Sequence, residues 1–388
     1  MTDFSRVFER KKTHSLKWDH LNTIFQTDDL LPMWVADMDF QAPEVVNQAI
    51  KQRADHGFYG YTIINNELMY KVTDWLKETH QFKTNIDSLI FSPGVIPSIN
   101  SAINVFTNPG DKILIQTPVY TPFFNLIKEN DREIIEQELV HKNNRYEIDF
   151  KDFERKIKSG IKAFILCSPH NPVGRVWRED ELKKMAEICL AHDVLIFSDE
   201  IHADLAFKEH KHIPIASLSE EISQQTITFM SPTKTFNLAG LQISYIIAEN
   251  TKMRTKLANE LNRQGMNMMN TIGVIALEAV YPQGRPWLNN LLEVINENKN
   301  YVKERLEKET SLKVIDSEGT YLLWIDCESL GFSPEELNEF FVKTAKVGLN
   351  RGSSYGKLGN QFMRMNIACP KEIIIEGTNR IINAINKK

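Results

Sequence analysis

Apolar positions along this chain fall into two patterns. Short unbroken blocks rich in aliphatic and β-branched residues, at Lys112 to Gln116, Ala163 to Cys167, Val194 to Ser198, Thr226 to Met230 and Ile243 to Ala248, have the character of strands buried on both faces. Between several of them the apolar spacing is helical, as from Glu179 to His192, where the opening acids suit the positive end of a helix. This alternation, in force from about residue 67, predicts an α/β domain with a largely parallel sheet of the seven-stranded type. Ligands of such a sheet gather beyond the carboxyl ends of its strands.

The pattern changes after Gly284-Arg285-Pro286. A long charged helix, Leu288 to Lys308, leads into strands at Leu312 to Ile315 and Thr320 to Ile325, a helix from Ser333, a strand at Phe362 to Ile367 and a last helix from Pro370. These elements predict a smaller α+β domain completed by the N-terminal segment. The division expected is a large domain at 45–285 and a small one made of 1–44 plus 286–388. No repeat or flexible linker separates the two.

Composition removes several classes of function. The 388 residues carry 51 carboxylates against 46 lysines and arginines, and the positive charges are scattered, so neither a nucleic acid nor an anionic membrane surface is an expected partner. No stretch has signal-peptide character or approaches the roughly 18 apolar residues of a membrane span, and the chain reads as cytoplasmic. Cys167, Cys189, Cys327 and Cys369 lie far apart, mostly in apolar runs, and read as reduced packing residues.

Candidate chemistry clusters at strand ends. Lys234, in Ser231-Pro232-Thr233-Lys234-Thr235, follows the apolar run ending at Met230. A lysine there can lose solvation, lower its pKa and become the amine nucleophile that forms a Schiff base with an aldehyde cofactor. Asp199 stands at the mouth of the strand Val194 to Ser198, where a carboxylate is costly unless it meets a cation. Asn171 sits in the rigid turn Ser168-Pro169-His170-Asn171-Pro172-Val173-Gly174, and Arg364 interrupts an apolar strand with a fork suited to a carboxylate. Taken singly, turn chemistry, a helix cap and a sheet-edge arginine are alternative readings of the last three. Two superficial matches fail. Ser231 to Lys234 fits a Ser-x-x-Lys nucleophile motif without its companion motifs, and Gly352 to Leu358 has the wrong glycine spacing for a nucleotide loop.

The ordered series Asn171-Pro172-Val173-Gly174, Asp199, Ser231-Pro232-Thr233-Lys234 and Arg364 resembles the fold-type I pyridoxal-phosphate enzymes, the aspartate-aminotransferase-like superfamily, over essentially the whole chain. Leu31 to Phe40 and Ser198 to Leu205 are more closely similar to the MalY/PatB group of carbon–sulfur β-lyases. The resemblance implies that Lys234 carries the cofactor and moves the substrate Cα proton, that Asp199 keeps the pyridine nitrogen protonated, and that Asn171 binds the phenolic oxygen with His202 nearby. It implies Tyr120 stacked on the ring, with Tyr120, Lys234 or water as proton donor to the leaving sulfur. Gly94, Val95 and Ile96, at a loop entering a helix, would hold the phosphate together with the hydroxyls of Ser231 and Thr233. Gln242 stands where many relatives place a phosphate-binding arginine. Tyr61 would reach the phosphate of a neighbouring subunit, making a homodimer with shared sites the expected assembly. Arg364, with the backbone at Val35 and Ala36, would bind the substrate carboxylate.

The implied activity is β-elimination from L-cystathionine or another cysteine S-conjugate, giving a thiol, pyruvate and ammonia. An aminotransferase, which uses nearly the same cofactor-holding residues, and a ligand-sensing regulator on the same fold are the alternatives. The identity of the sulfur substituent is not legible in the sequence.

Overall fold

The computed structural model describes residues 3–387. A two-residue strand, β1 (Leu31–Pro32), precedes the main sheet. Next come β2 (Leu89–Ser92), β3 (Lys112–Thr117), β4 (Glu133–Glu138), the hairpin β5 (Val140–Lys142) and β6 (Arg145–Glu147), and β7 (Ile161–Cys167). They are followed by β8 (Leu195–Asp199), β9 (Thr226–Met230) and β10 (Ser244–Ile247). Seven of these pair in the order β2-β10-β9-β8-β7-β3-β4, and every pairing is parallel except those of β10 with β2 and β9.

The continuous apolar runs exist because both faces of this sheet are covered. Ile113, Ile115, Ile165, Phe197, Ile227 and Phe229 pack on one side with helices Val95–Phe106 and Thr251–Arg263. Leu114, Phe164, Leu166 and Ile196 point the other way, against helices Phe150–Ile157 and Glu179–Leu190. A strand alternates its side chains between faces, so a run apolar at every position is the signature of a doubly covered sheet. The outermost strand β4, by contrast, carries Glu133, Glu136 and Glu138, charges that suit an edge.

Helix Arg285–Glu309 leads into the second sheet, made of β11 (Lys313–Val314), β12 (Leu322–Asp326), β14 (Asn350–Arg351) and β15 (Phe362–Asn366). Its order is β11-β12-β15-β14, all antiparallel, with helix Lys371–Asn386 following β15. Between β12 and β14 lies β13 (Val347–Gly348), which pairs in parallel with β1 and ties the N-terminal segment to this part of the chain. The strand expected from Thr320 starts at Leu322. Thr320 instead turns the chain with φ 68°, and its N–H donates to Leu205 O at 2.8 Å. Ser333 caps helix Pro334–Glu339 rather than opening it, its hydroxyl accepting from Glu336 N. Among the described residues no helix is long and apolar enough to cross a membrane.

One buried ion cluster fixes the loop Trp34 to Phe40. Asp39 accepts from Lys17 Nζ at 2.7 Å, Arg10 Nη1 at 2.6 Å and Trp18 Nε1 at 2.8 Å, while Arg10 also reaches Asp37 at 3.0 Å and Met38 O at 2.9 Å. Burial works against the Asp39 charge, yet Lys17, Trp18 and Arg10 together hold its carboxyl below the ordinary carboxylate range. Lys17 is 1% exposed, so truncating it leaves a buried carboxylate with the neutral Trp18 N–H and one partly exposed cation, Arg10. Lys17→Met should cost about 3 kcal/mol in chemical denaturation, the scale of a broken buried ion pair. A loss below ~1 kcal/mol would show that the cluster does not hold the segment in place.

Candidate active site

The carboxyl ends of β7, β8 and β9 open, with the start of helix Val95–Phe106, into a cavity of about 200 Å³. Its walls bring together Ala36, Gly94, Val95, Ile96, Tyr120, Asn171, Asp199, His202, Ser231, Thr233 and Lys234 from distant parts of the sequence. Gln242 lines it as well. A parallel sheet ends all its strands on the same side, and the residues just beyond those ends meet there.

Lys234 lies in a single helical turn, Pro232–Thr235, entered directly from β9. Ser231 caps that turn, its hydroxyl accepting from Thr233 N at 3.1 Å and lying 2.7 Å from Thr233 Oγ1. The next residue, Thr235, donates to Asp204 at 2.7 Å, and Asp204 is held in turn by Trp75 at 3.1 Å and His80 at 2.8 Å. Beyond it, Asn237 bridges to the Trp34 to Phe40 loop, accepting from Met38 N at 3.0 Å and donating to Met38 O at 3.0 Å and Phe40 O at 2.8 Å. The amine itself donates to Ala36 O at 2.6 Å. Burial, reinforced by Arg364, lowers its pKa to about 8 against the opposing pull of Asp37 and Asp199. About a tenth of the amine is therefore uncharged at pH 7, far more than for an ordinary lysine, and the uncharged form is the one that a nucleophile requires.

Asp199 ends β8 almost completely buried, and its carboxylate accepts one backbone hydrogen bond, from Ile201 N at 3.1 Å. Burial pushes its pKa up to about 7, with Glu200 adding to the rise and Lys234 offsetting part of it. Glu200 is occupied elsewhere, by His212 at 2.7 Å and Ser198 at 2.8 Å. A dry carboxyl with so little compensation is a receptor for a cation.

Asn171 and Arg364 orient one another. Arg364 Nη1 donates to Asn171 Oδ1 at 3.1 Å, which leaves the Asn171 amide N–H groups to face other partners. Arg364 Nη2 donates to Trp34 O at 2.9 Å and Asn350 Oδ1 at 2.8 Å, and the guanidinium lies 5.2 Å from the centre of the Tyr355 ring. Arg364 is not itself in the cavity wall; it stands behind Asn171 on β15. Asn350, which the sequence reading missed, belongs to a two-residue strand that carries no recognisable pattern. Val35 likewise stands outside the wall, its carbonyl accepting from Asn366 Nδ2 at 2.6 Å.

His202 is buried with its Nδ1 unpartnered, and burial, Lys234 and Arg364 drive its pKa down to about 3. It is a neutral imidazole. Tyr120 presents its phenol to the cavity, its pKa raised by burial and then by Asp199. Its neighbours are pinned to the second sheet's long loop, through Val119 N to Tyr355 O at 3.0 Å and Thr121 Oγ1 to Ser354 O at 2.8 Å. Elsewhere in the wall, helix Val95–Phe106 begins with Pro97 in its first turn, so the N–H groups left to face the cavity there belong to Gly94, Val95 and Ile96. Tyr61 is not brought in: it is 92% exposed, in a strip with Phe58 and Ile63. No group of acidic, histidine and cysteine side chains among the described residues could hold a metal ion.

Comparison with known proteins places this architecture. The family model for aminotransferase class I and II matches residues 29–381. The cystathionine β-lyase PatB of Bacillus subtilis is 42% identical over 386 residues, covering 99% of this chain and all of that protein. Cystalysin from Treponema denticola, solved with pyridoxal 5′-phosphate, superposes with a TM-score of 0.97 at 37% identity, covering 100% of this chain and 99% of its own. The pyridoxal-phosphate-bound C-S lyase of Staphylococcus hominis gives 0.92 at 32% identity, over 99% and 98% of the two chains. With its two sheets, its strand-end lysine and aspartate, and these matches from end to end, the chain belongs to the class I and II aminotransferase family.

Proposed function

We propose that this protein is a pyridoxal-phosphate-dependent carbon–sulfur β-lyase that cleaves L-cystathionine or another cysteine S-conjugate to a thiol, pyruvate and ammonia. The observation that carries the reading is the pairing, across one cavity, of a lysine amine with a lowered pKa and a buried carboxyl that lacks a cation. Those two groups fit the two ends of a pyridoxal ring, an aldehyde and a protonated nitrogen. The similarity to proteins named as lyases supports elimination over transamination.

When bound, the cofactor supplies an electrophilic carbon for amines and a ring that draws electrons from the substrate Cα. Lys234 would hold it covalently, and as a free amine Lys234 would be the base for the substrate Cα proton, for which a pKa of about 8 is well matched. Asp199 keeps the ring nitrogen protonated, and Asn171, whose oxygen is committed to Arg364, donates to the ring oxygen. Neutral His202 lies beside them without adding a charge. The N–H groups of Gly94, Val95 and Ile96 and the hydroxyls of Ser231 and Thr233 offer neutral donors to the phosphate, and Gln242 in the same wall adds no charge. Arg364 grips the substrate carboxylate, its fork aimed by Trp34 O and Asn350. Tyr120 covers the ring face.

Residues 45–285 form the cofactor-holding domain in this reading, with 1–44 and 286–388 closing over it. The exposed strip of Phe58, Tyr61 and Ile63 is the surface for a second copy, from which Tyr61 serves the partner's phosphate.

Purified, cofactor-loaded protein given L-cystathionine and no keto acid should release pyruvate over many turnovers. No pyruvate, with one stoichiometric conversion of the cofactor to its pyridoxamine form and turnover only after a keto acid is added, would make it an aminotransferase instead.

The Asp199 assignment has a signature in stability. Its folded pKa of about 7 lies above the ordinary 3.8, so the folded state binds the proton more tightly than the unfolded one. Its cost to folding is therefore absent below 3.8, grows between the two values and is fully present above pH 7. In protein stripped of cofactor, Asp199→Asn should be more stable than wild type by a few kcal/mol at pH 8, with the gap closing as the pH falls towards 4. A gap that is independent of pH would mean that Asp199 is not an isolated buried carboxyl.

A further inference from the structure

Two donors converge on one carbonyl beside the cavity. Lys234 Nζ lies 2.6 Å from Ala36 O, and the hydroxyl of Tyr321 lies 3.1 Å from the same oxygen. Tyr321 is 1% exposed, with its ring edge-on to His202 at a centroid distance of 6.0 Å.

The chain is strained to deliver it there. The preceding residue, Thr320, holds φ 68°, a region that a β-branched residue rarely enters and that persists only where the surroundings enforce it. The enforcement is visible. Thr320 N donates to Leu205 O at 2.8 Å, Glu318 N to Gly174 O at 2.8 Å, and Ser317 Oγ to Gly319 O at 2.7 Å. Arg175 and Arg145 anchor the Glu318 carboxylate at 2.9 and 2.8 Å. A Cβ at Gly319 would stand 2.9 Å from Leu205 O, so the segment fits against the turn after Asp199 only without a side chain. Filling space would not require a hydroxyl, because a phenylalanine has nearly the same shape.

We propose that Tyr321 is a positioning residue for Lys234: its hydroxyl keeps the Ala36 carbonyl hydrogen-bonded whenever the lysine amine leaves that oxygen to bond the cofactor or to take a substrate proton. This rests on the reading of Lys234 as the cofactor lysine. Ala36 is half-buried in the cavity wall, and an acceptor there that loses its last protein donor bears part of the desolvation penalty, whereas one with a second donor in place does not. With Tyr321 present, Lys234 can move without orphaning the carbonyl. Without it, every departure of the amine is opposed. No proton or covalent bond passes through Tyr321.

The test compares Tyr321→Phe with wild type in two binding titrations of the full-length, cofactor-stripped protein. Pyridoxal phosphate must draw Lys234 off the carbonyl to form its bond, and its Kd should rise about fivefold in the variant, the scale of one half-buried acceptor left without a protein donor. Pyridoxamine phosphate carries an amine where the aldehyde would be and cannot bond to Lys234, so its Kd should stay within about twofold, with the melting temperature of the stripped protein unchanged. An unchanged Kd for pyridoxal phosphate would overturn the proposal. Equal weakening of both ligands would also overturn it, because packing alone would act on both. If wild type bound neither compound, the cofactor reading itself would fail, and the role of Tyr321 with it.

Discussion

Two cations must coexist beside one cavity, and a single loop supplies the carbonyl oxygens that let them. Arg364 donates to Trp34 O, and Lys234 donates to Ala36 O two residues further on. An arginine cannot release its proton in a protein, so burial and mutual repulsion fall on the lysine, whose pKa drops to about 8. The lowered basicity of this amine is in this sense made by burial and by its neighbour. The loop that spaces them is itself held from three directions: by Lys17 and Arg10 through Asp39, by Asn237 from the lysine's own turn, and by Asn366 from the strand of Arg364. Movement of this loop would disturb both cations together.

The opposite charge is equally contrived. Asp199 receives one backbone hydrogen bond where a stable buried carboxylate would collect several, while the adjacent buried acids are fully engaged: Glu200 by His212 and Ser198, Asp204 by Trp75, His80 and Thr235. Three acids within six positions thus divide into two that stiffen the frame and one left to bind. Local rules are violated where the chemistry is and obeyed around it, as expected of a site that trades stability for function. The positive φ at Thr320, behind Tyr321, belongs to the same class of feature.

Much of this could be read from the chain because the relevant signals are local. The central strands announce themselves as apolar runs, and Lys234, Asp199 and Asn171 stand immediately beyond them, so the parallel sheet alone brings them into one cavity. Strand β4 escaped notice because its glutamates break the apolar run, and β14 because two residues hold no period. Lys17 and Tyr321 escaped for a different reason. Their partners lie far away in sequence, Asp39 lying 22 positions from Lys17 and Tyr321 standing 285 from Ala36, and only the closed fold shows that they meet. Tyr61 illustrates the limit of a single chain: expected to serve a neighbouring subunit, it is 92% exposed and stands outside the cavity wall of its own.

The central claim is that the amine of Lys234, and no other, holds the cofactor. Borohydride reduction of the loaded protein fixes that bond permanently, and peptide mass spectrometry then locates it. The account predicts one reduced pyridoxyl group per subunit, on the peptide containing Ser231 to Phe236 and at Lys234. An adduct on any other lysine, or none from protein that retains the cofactor, would contradict it.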